Sequence, residues 1–145
     1  MKTTFTLLAV ILSTSITLVG QSLIGMKKDY IDKDMKSMGG KFEKEITEQF
    51  SKQIWKNVLS YSYTSPVPLE ETYFFDSLNV ATEVMYNVYE PDRMMSDIKD
   101  YNEKYIKTGE FSWIMYQRNQ KLSVSLTPRE DGNYIVVFEL LSKSK

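Results

Sequence analysis

FSWIMYQRNQKLSVSLTPREDGNYIVVFELL, residues 111–141, is the stretch whose reading decides the fold. Phe111, Trp113 and Met115 share one face of a strand, and Leu122, Val124 and Leu126 alternate with Ser123, Ser125 and Thr127. Side chains of a strand point to opposite faces in turn, so a period of two predicts strands over 111–117 and 121–127. Glu130-Asp131-Gly132-Asn133 carries the Asp-Gly pair that suits a tight primed turn, and a third strand is expected over 134–141. Short turns between these strands fit antiparallel pairing.

The same pattern recurs upstream. Trp55, Leu59, Tyr61 and Tyr63 share one strand face, with Lys56, Ser60, Ser62 and Thr64 on the other. Ser65-Pro66-Val67-Pro68 breaks that strand. A second is expected over 70–76, with Tyr73 and Phe75 opposite Phe74, and Asp76-Ser77-Leu78-Asn79 reads as a turn. A third covers 81–89, where Val84, Tyr86 and Val88 alternate with Glu83, Met85 and Asn87.

A helix is expected ahead of each triplet. Over 25–38, Met26, Tyr30, Ile31, Met35 and Met38 recur at helical spacing and Gly39-Gly40 stops the run. Pro91-Asp92 opens the second, Asp92 serving as N-cap, Met94, Ile98, Tyr101 and Tyr105 as the apolar stripe, and Gly109 as the stop. The segment 41–53 fits two periods. Phe42, Ile46 and Phe50 stand four apart, while Phe42, Lys44 and Ile46 alternate; a helix is the expectation and a strand stays open. The order is therefore two αβββ units, 25–90 and 91–142, in one α+β domain spanning 21–145. Its antiparallel sheet carries helices packed on one face, since a sheet with one apolar face needs a cover. Each unit has a Trp in its first strand, Trp55 and Trp113.

The first twenty residues bear on location. Lys2 is followed by FTLLAVILSTSITLVG, uncharged from Phe5 to Gly20. A charged start, an apolar middle and a small-residue exit form the layout of a cleavable secretory leader over 1–20, with cleavage after Gly20 leaving Gln21 as the new terminus and cleavage one residue later as the alternative. A retained anchor and a buried segment are the alternatives, although the run is short for a membrane span and diluted by Ser13, Thr14, Ser15 and Thr17. The expected location is periplasmic or secreted. The sequence has no Cys, so an acylated lipoprotein is excluded and no disulfide staples the fold.

Gly25-Met26-Lys27-Lys28-Asp29-Tyr30-Ile31, running into a helix and then strands, resembles the start of small envelope proteins. It is similar to the barrel-assembly accessory lipoproteins and to the β-lactamase-inhibitor-protein type of tandem helix–sheet domain, and more broadly to short secreted proteins of Bacteroidota. Two departures stand out: the lipidated cysteine is missing, and Gly39-Gly40-Lys41 stands where the accessory lipoproteins have Gly-x-Pro. The resemblance implies an envelope domain that binds something, and it transfers no site residues.

Composition narrows the chemistry. The chain has 18 basic and 19 acidic residues, and without Lys2 the balance is 17 to 19, which offers no basic patch for nucleic acid. Membrane contact is expected only through an uncleaved leader. With neither Cys nor His, thiol nucleophiles, imidazole bases and soft metal ligands are absent. No cofactor and no metal are expected. Asp29, Asp32 and Asp34 lie at helical spacing among lysines and read as a solvated helix face rather than a calcium loop. Glu70, Glu71, Asp76, Glu83 and Glu90 read as a solvated rim; Asp76 and Glu83 flank one turn, the pair a carboxylate-based hydrolase would need.

Aromatic residues are plentiful, with 10 Tyr and 7 Phe. Trp55, Tyr61, Tyr63, Tyr73 and Phe75 are expected to form core beneath the helices. Phe74, Tyr89 and Tyr116 fall on the opposite pleat and are the candidate contact residues for an envelope protein, peptide or glycan. The leading expectation is a non-catalytic envelope binding module acting through this sheet face. The alternatives are the hydrolase and an inhibitor or assembly protein acting through loops 65–68 and 130–133.

Overall fold

The structure is a computed structural model that describes residues 19–49, 55–64 and 68–143, with the backbone alone for 19–20, 44–49 and 55–56. Helix α1 is Lys28–Ser37, followed by β1 Lys41–Gln49, β2 Trp55–Tyr63, β3 Leu69–Phe75 and β4 Ala81–Val88. Helix α2 is Met94–Lys104, followed by β5 Ile106–Gly109, β6 Ser112–Gln117, β7 Gln120–Pro128 and β8 Tyr134–Lys143. All eight strands form one antiparallel sheet in the order β1-β2-β3-β4-β8-β7-β6-β5. The α+β class and the antiparallel sheet are as expected. Each repeating unit, however, is αββββ rather than αβββ. Two four-stranded meanders meet through their last strands, β4 and β8.

The added strand in each half is an edge strand, and both correct the sequence reading. Residues 41–49 pair with β2 instead of forming a helix, and residues 50–53 of that expected helix lie outside the described residues. Gly109 ends β5 rather than α2, which stops at Lys104 with Tyr105 already extended. Edge strands are commonly protected by charge and irregularity. KFEKEITEQ and IKTG carry that charge, and each contains a register shift, so neither shows a clean apolar alternation.

One ladder of directly paired residues crosses the whole sheet: Glu45, Leu59, Tyr73, Val84, Phe138, Val124, Trp113 and Lys107. The six interior members are at most 2% exposed. Both helices cover this face. Met35 of α1 reaches the Tyr63 and Tyr73 hydroxyls, at 3.1 and 3.5 Å from its sulfur. Tyr101 of α2 meets Trp113 and Phe138 edge-on, with ring centroids 5.4 and 6.2 Å apart. Tyr61, Tyr73 and Phe75 are core as expected.

The helix stripes are narrower than their sequence suggests. Ile31 and Met35 are fully buried on α1, while Tyr30 and Met38 are exposed. Lys28 joins the buried side, its ammonium 2.8 Å from the Asn57 side-chain oxygen and 5.7 Å from the Phe75 ring centroid. Gly39 ends α1 at φ +82°, where its N–H reaches the Lys36 carbonyl and Gly40 N–H reaches that of Met35. Asp92 makes no cap; it lies inside a 3₁₀ turn, Pro91–Arg93, that leads into α2.

The tight primed turn is also elsewhere. Arg118 and Asn119, both at positive φ, connect the directly paired Gln117 and Gln120. The Asp131-Gly132 connection is wider. Only Gly132 has positive φ there, and Arg129 N–H bonds to the Asn133 carbonyl at 2.8 Å.

Residues 21–26 strap the two halves together. Leu23 and Ile24 are buried in the core. Gly25 and Met26 exchange backbone hydrogen bonds with Ala81 at 2.8 and 2.9 Å. From the other half, Gln117, Arg118 and Gln120 donate to the carbonyls of Gln21, Ser22 and Ile24. The expected leader, residues 1–20, lies outside the described residues except for its last two, which begin a 3₁₀ turn, Val19–Leu23.

Candidate functional site

Two rows of residues define the sheet face away from the helices. One runs Val58, Phe74, Glu83, Glu139, Ser123, Ile114; the next runs Ser60, Thr72, Met85, Val137, Ser125, Ser112. No described helix packs on this side. The β2–β3 part is nonetheless closed: Val58, Ser60 and Thr72 are buried. The Ser60 hydroxyl donates to the Glu70 carboxylate at 2.8 Å and lies 3.1 Å from the Thr72 hydroxyl. The accessible part therefore lies over β4, β8, β7 and β6. Met85, Val137, Ile114 and Ser123 are partly exposed there, while Glu139 and Ser125 are exposed.

Glu83 and Glu139 stand directly opposite each other at the junction of the halves. Partial burial, and then the neighbouring Glu139 charge, raise the Glu83 carboxyl above the ordinary range. Like charges directly across a strand pair are unfavourable. A cation arriving at this face would relieve that repulsion.

The three aromatic candidates do not form one patch. Phe74 is half-buried at the closed margin, next to Val58 and Glu83. Tyr116 is 65% exposed on β6, beside Lys121. Four strand spacings separate β3 from β6, or about 19 Å at ~4.8 Å each. Tyr89 follows the end of β4, its N–H bonded to the Pro68 carbonyl at 3.0 Å, and it lies near Glu70, Arg129 and Asp131. Six residues of β3 run lengthwise between that point and Phe74, about 20 Å of strand.

The carboxylates are distributed differently from a uniform solvated rim. Asp76 accepts the Leu78 and Val80 N–H groups at 2.8 and 2.9 Å, which holds the 76–80 turn and leaves Glu83 to face Glu139 instead. Glu71 is in the core, 5% exposed, where the Tyr73 hydroxyl donates to it at 2.5 Å. Its position was legible, because Glu71 shares strand parity with Tyr73 and Phe75 on the helix side.

A cleft of about 260 Å³ lies between α1 and the β1–β2 hairpin, lined by Lys28, Asp29, Asp32, Lys36, Phe42 and Leu59. Lys28, Asp32 and Lys36 are engaged internally. Asp32 takes a 2.7 Å salt bridge from Lys36 and a hydrogen bond from the Tyr61 hydroxyl, which hold its carboxyl below the ordinary range. Among the described residues no group of three or more carboxylates is placed to hold a metal ion. No described helix is long and apolar enough to cross a membrane. Of the two loops proposed for partner contact, 65–67 lie outside the described residues, and 130–133 form the exposed end of the β7–β8 hairpin. No family model, curated protein or solved structure matches this chain.

Proposed function

We propose that this chain is a non-catalytic binding module of the cell envelope, and that its accessible sheet face over β4, β8, β7 and β6 holds a polypeptide partner presenting a basic side chain. The observation that carries this reading is the Glu83–Glu139 pair, flanked on the same face by Met85 and Val137. A lysine or arginine seated there gains two carboxylates, while its neighbours cover the two apolar side chains. Electrostatic complementarity of this kind contributes chiefly to specificity and association rate. Small hydroxyl side chains at Ser123, Ser125 and Ser112 leave room for close approach of another backbone. The envelope location rests on the leader read at residues 1–20.

The test uses protein beginning at Gln21, a lysine-containing peptide library and envelope extract. Binding that weakens with salt and is lost in Glu83→Lys plus Glu139→Lys, with circular dichroism unchanged, supports the reading. Binding indifferent to both reversals overturns it and moves attention to the loops. The hydrolase reading has one observation in its favour, the raised Glu83 carboxyl beside a second carboxyl. Turnover of a glycan substrate that disappears in Glu83→Gln would select it over the binding module.

A further inference from the structure

Glu71 is a buried carboxyl group with no basic partner among the described residues. It sits on β3 between Tyr61 of β2 and Tyr86 of β4, its direct cross-strand neighbours. Tyr73, two residues along the same strand, donates to it at 2.5 Å. Above it lies α1, whose Met35 sulfur accepts the Tyr63 hydroxyl at 3.1 Å and lies 3.5 Å from the Tyr73 oxygen. From the same helix Asp34 projects a negative field onto Glu71. Tyr61, the β2 neighbour, donates its hydroxyl to Asp32. Tyr101 of α2 lies beyond Tyr86. The groups facing Glu71 are therefore tyrosines and one further carboxylate. Tyr86 acts on the carboxyl at close range in the same sense as Tyr73, favouring its ionised form without bringing a positive charge.

We propose that Glu71 and the α1 helix above it form a pH-responsive latch: the neutral carboxyl lets α1 seat on β2 and β3, and ionisation of Glu71 loosens the helix. The physical basis is the cost of a buried, unpaired charge, which water entry relieves once the helix lifts. Burial is the largest cause acting on the group and raises its pKa to about 7; Asp34 pushes the same way, and the two tyrosines oppose it. An undocked helix exposes Glu71 to water and returns it to ordinary carboxylate behaviour. Opening then becomes easier as pH rises from about 4.5 toward 7 and levels off above that.

The experiment measures amide hydrogen-exchange protection in α1 and α2, corrected for intrinsic exchange, from pH 5 to pH 8. Glu71→Gln is compared with the wild type. The expected result is a loss of α1 protection by about fiftyfold in the wild type, with α2 changing far less and Glu71→Gln nearly flat. Unchanged α1 protection in the wild type, or an equal loss in Glu71→Gln, overturns the proposal. Wild-type protein labelled with carbon-13 at the Glu carboxyl gives a reading that needs no variant. A Glu71 midpoint near 7 that tracks the loss of α1 protection supports the latch; a midpoint near 4.5 overturns it.

Discussion

Glu83 of β4 lies directly across from Glu139 of β8, in the ladder that joins the two helix–sheet halves into one sheet. Two carboxylates thus occupy the centre of the sheet face that carries no described helix. Such a pair costs stability in the free protein, because like charges directly opposite on neighbouring strands repel.

Glu83→Gln is therefore expected to stabilise the free protein. Removing one charge relieves the repulsion and should add several tenths of a kcal/mol, up to about 1, at neutral pH. The sign with pH follows from the raised Glu83 carboxyl. Its contribution to stability is fullest below the ordinary carboxylate range and is lost as pH rises through the folded-state value. Urea melts at about pH 3 and pH 7 check this, since the advantage of the variant should appear at pH 7 and vanish near pH 3. A variant less stable than wild type at both pH values would mean that the pair is already compensated.

Tyr73→Phe should shift Glu71 upward. The Tyr73 hydroxyl favours the ionised carboxyl by donating to it, against the larger effect of burial. Deleting the donor leaves burial and Asp34 unopposed on that side, so the Glu71 midpoint should rise above about 7. Carboxyl-detected NMR titration reads the shift. Global stability should follow the same sense, falling by up to about 3 kcal/mol across the window between the unfolded and folded values as pH rises in the wild type. In Tyr73→Phe that fall should extend to higher pH.

Asp97 fixes α2 to the last strand, with one carboxylate oxygen 3.2 Å from Arg93 Nε and the other 2.5 Å from the Tyr134 hydroxyl. Tyr134 is fully buried, so Asp97→Ala strands a buried hydroxyl. The expected loss is about 1–3 kcal/mol, and Asp97→Asn, which keeps an acceptor, should lose less. Denaturant midpoints order the three proteins; equal losses for Ala and Asn would assign the effect to the Arg93 pair instead.

Central strands were legible in the sequence because their environment imposes alternation. Trp113 with Met115, and Leu122 with Val124 and Leu126, must face the helices, and a one-residue slip would expose them. The edge strands β1 and β5 face water along one side, so charge replaces apolar periodicity and their sequences resemble helix or loop. Glu71 was visible by parity yet was read as rim, because charged residues are rarely buried without a partner. The Glu83–Glu139 pair was not legible at all. It exists because β4 neighbours β8, a pairing between the two halves that no local pattern encodes. Phe74 and Tyr116 lie on the pleat away from the helices and Tyr89 lies beyond the end of β4, and pleat alone does not bring residues together across a sheet.

The strap at residues 21–26 gives a prediction that joins the leader to the fold. Leu23 and Ile24 are core residues, and the backbone around them bonds to Ala81 in one half and to the β6–β7 turn region in the other. Ile24→Ala should cost about 2–5 kcal/mol, the range for truncating a buried aliphatic side chain. A chain beginning at Gln21 retains every one of these contacts and should unfold at the same urea concentration as the 145-residue chain. A chain beginning at Lys27 loses the strap and should be markedly less stable, because two buried side chains and the backbone link between the halves go together. Cleavage after Gly20 would thus leave the strap whole, whereas cleavage a few residues later would remove it. Equal stability of the chains starting at 21 and 27 would show that the strap contributes nothing to holding β4 and β8 in register.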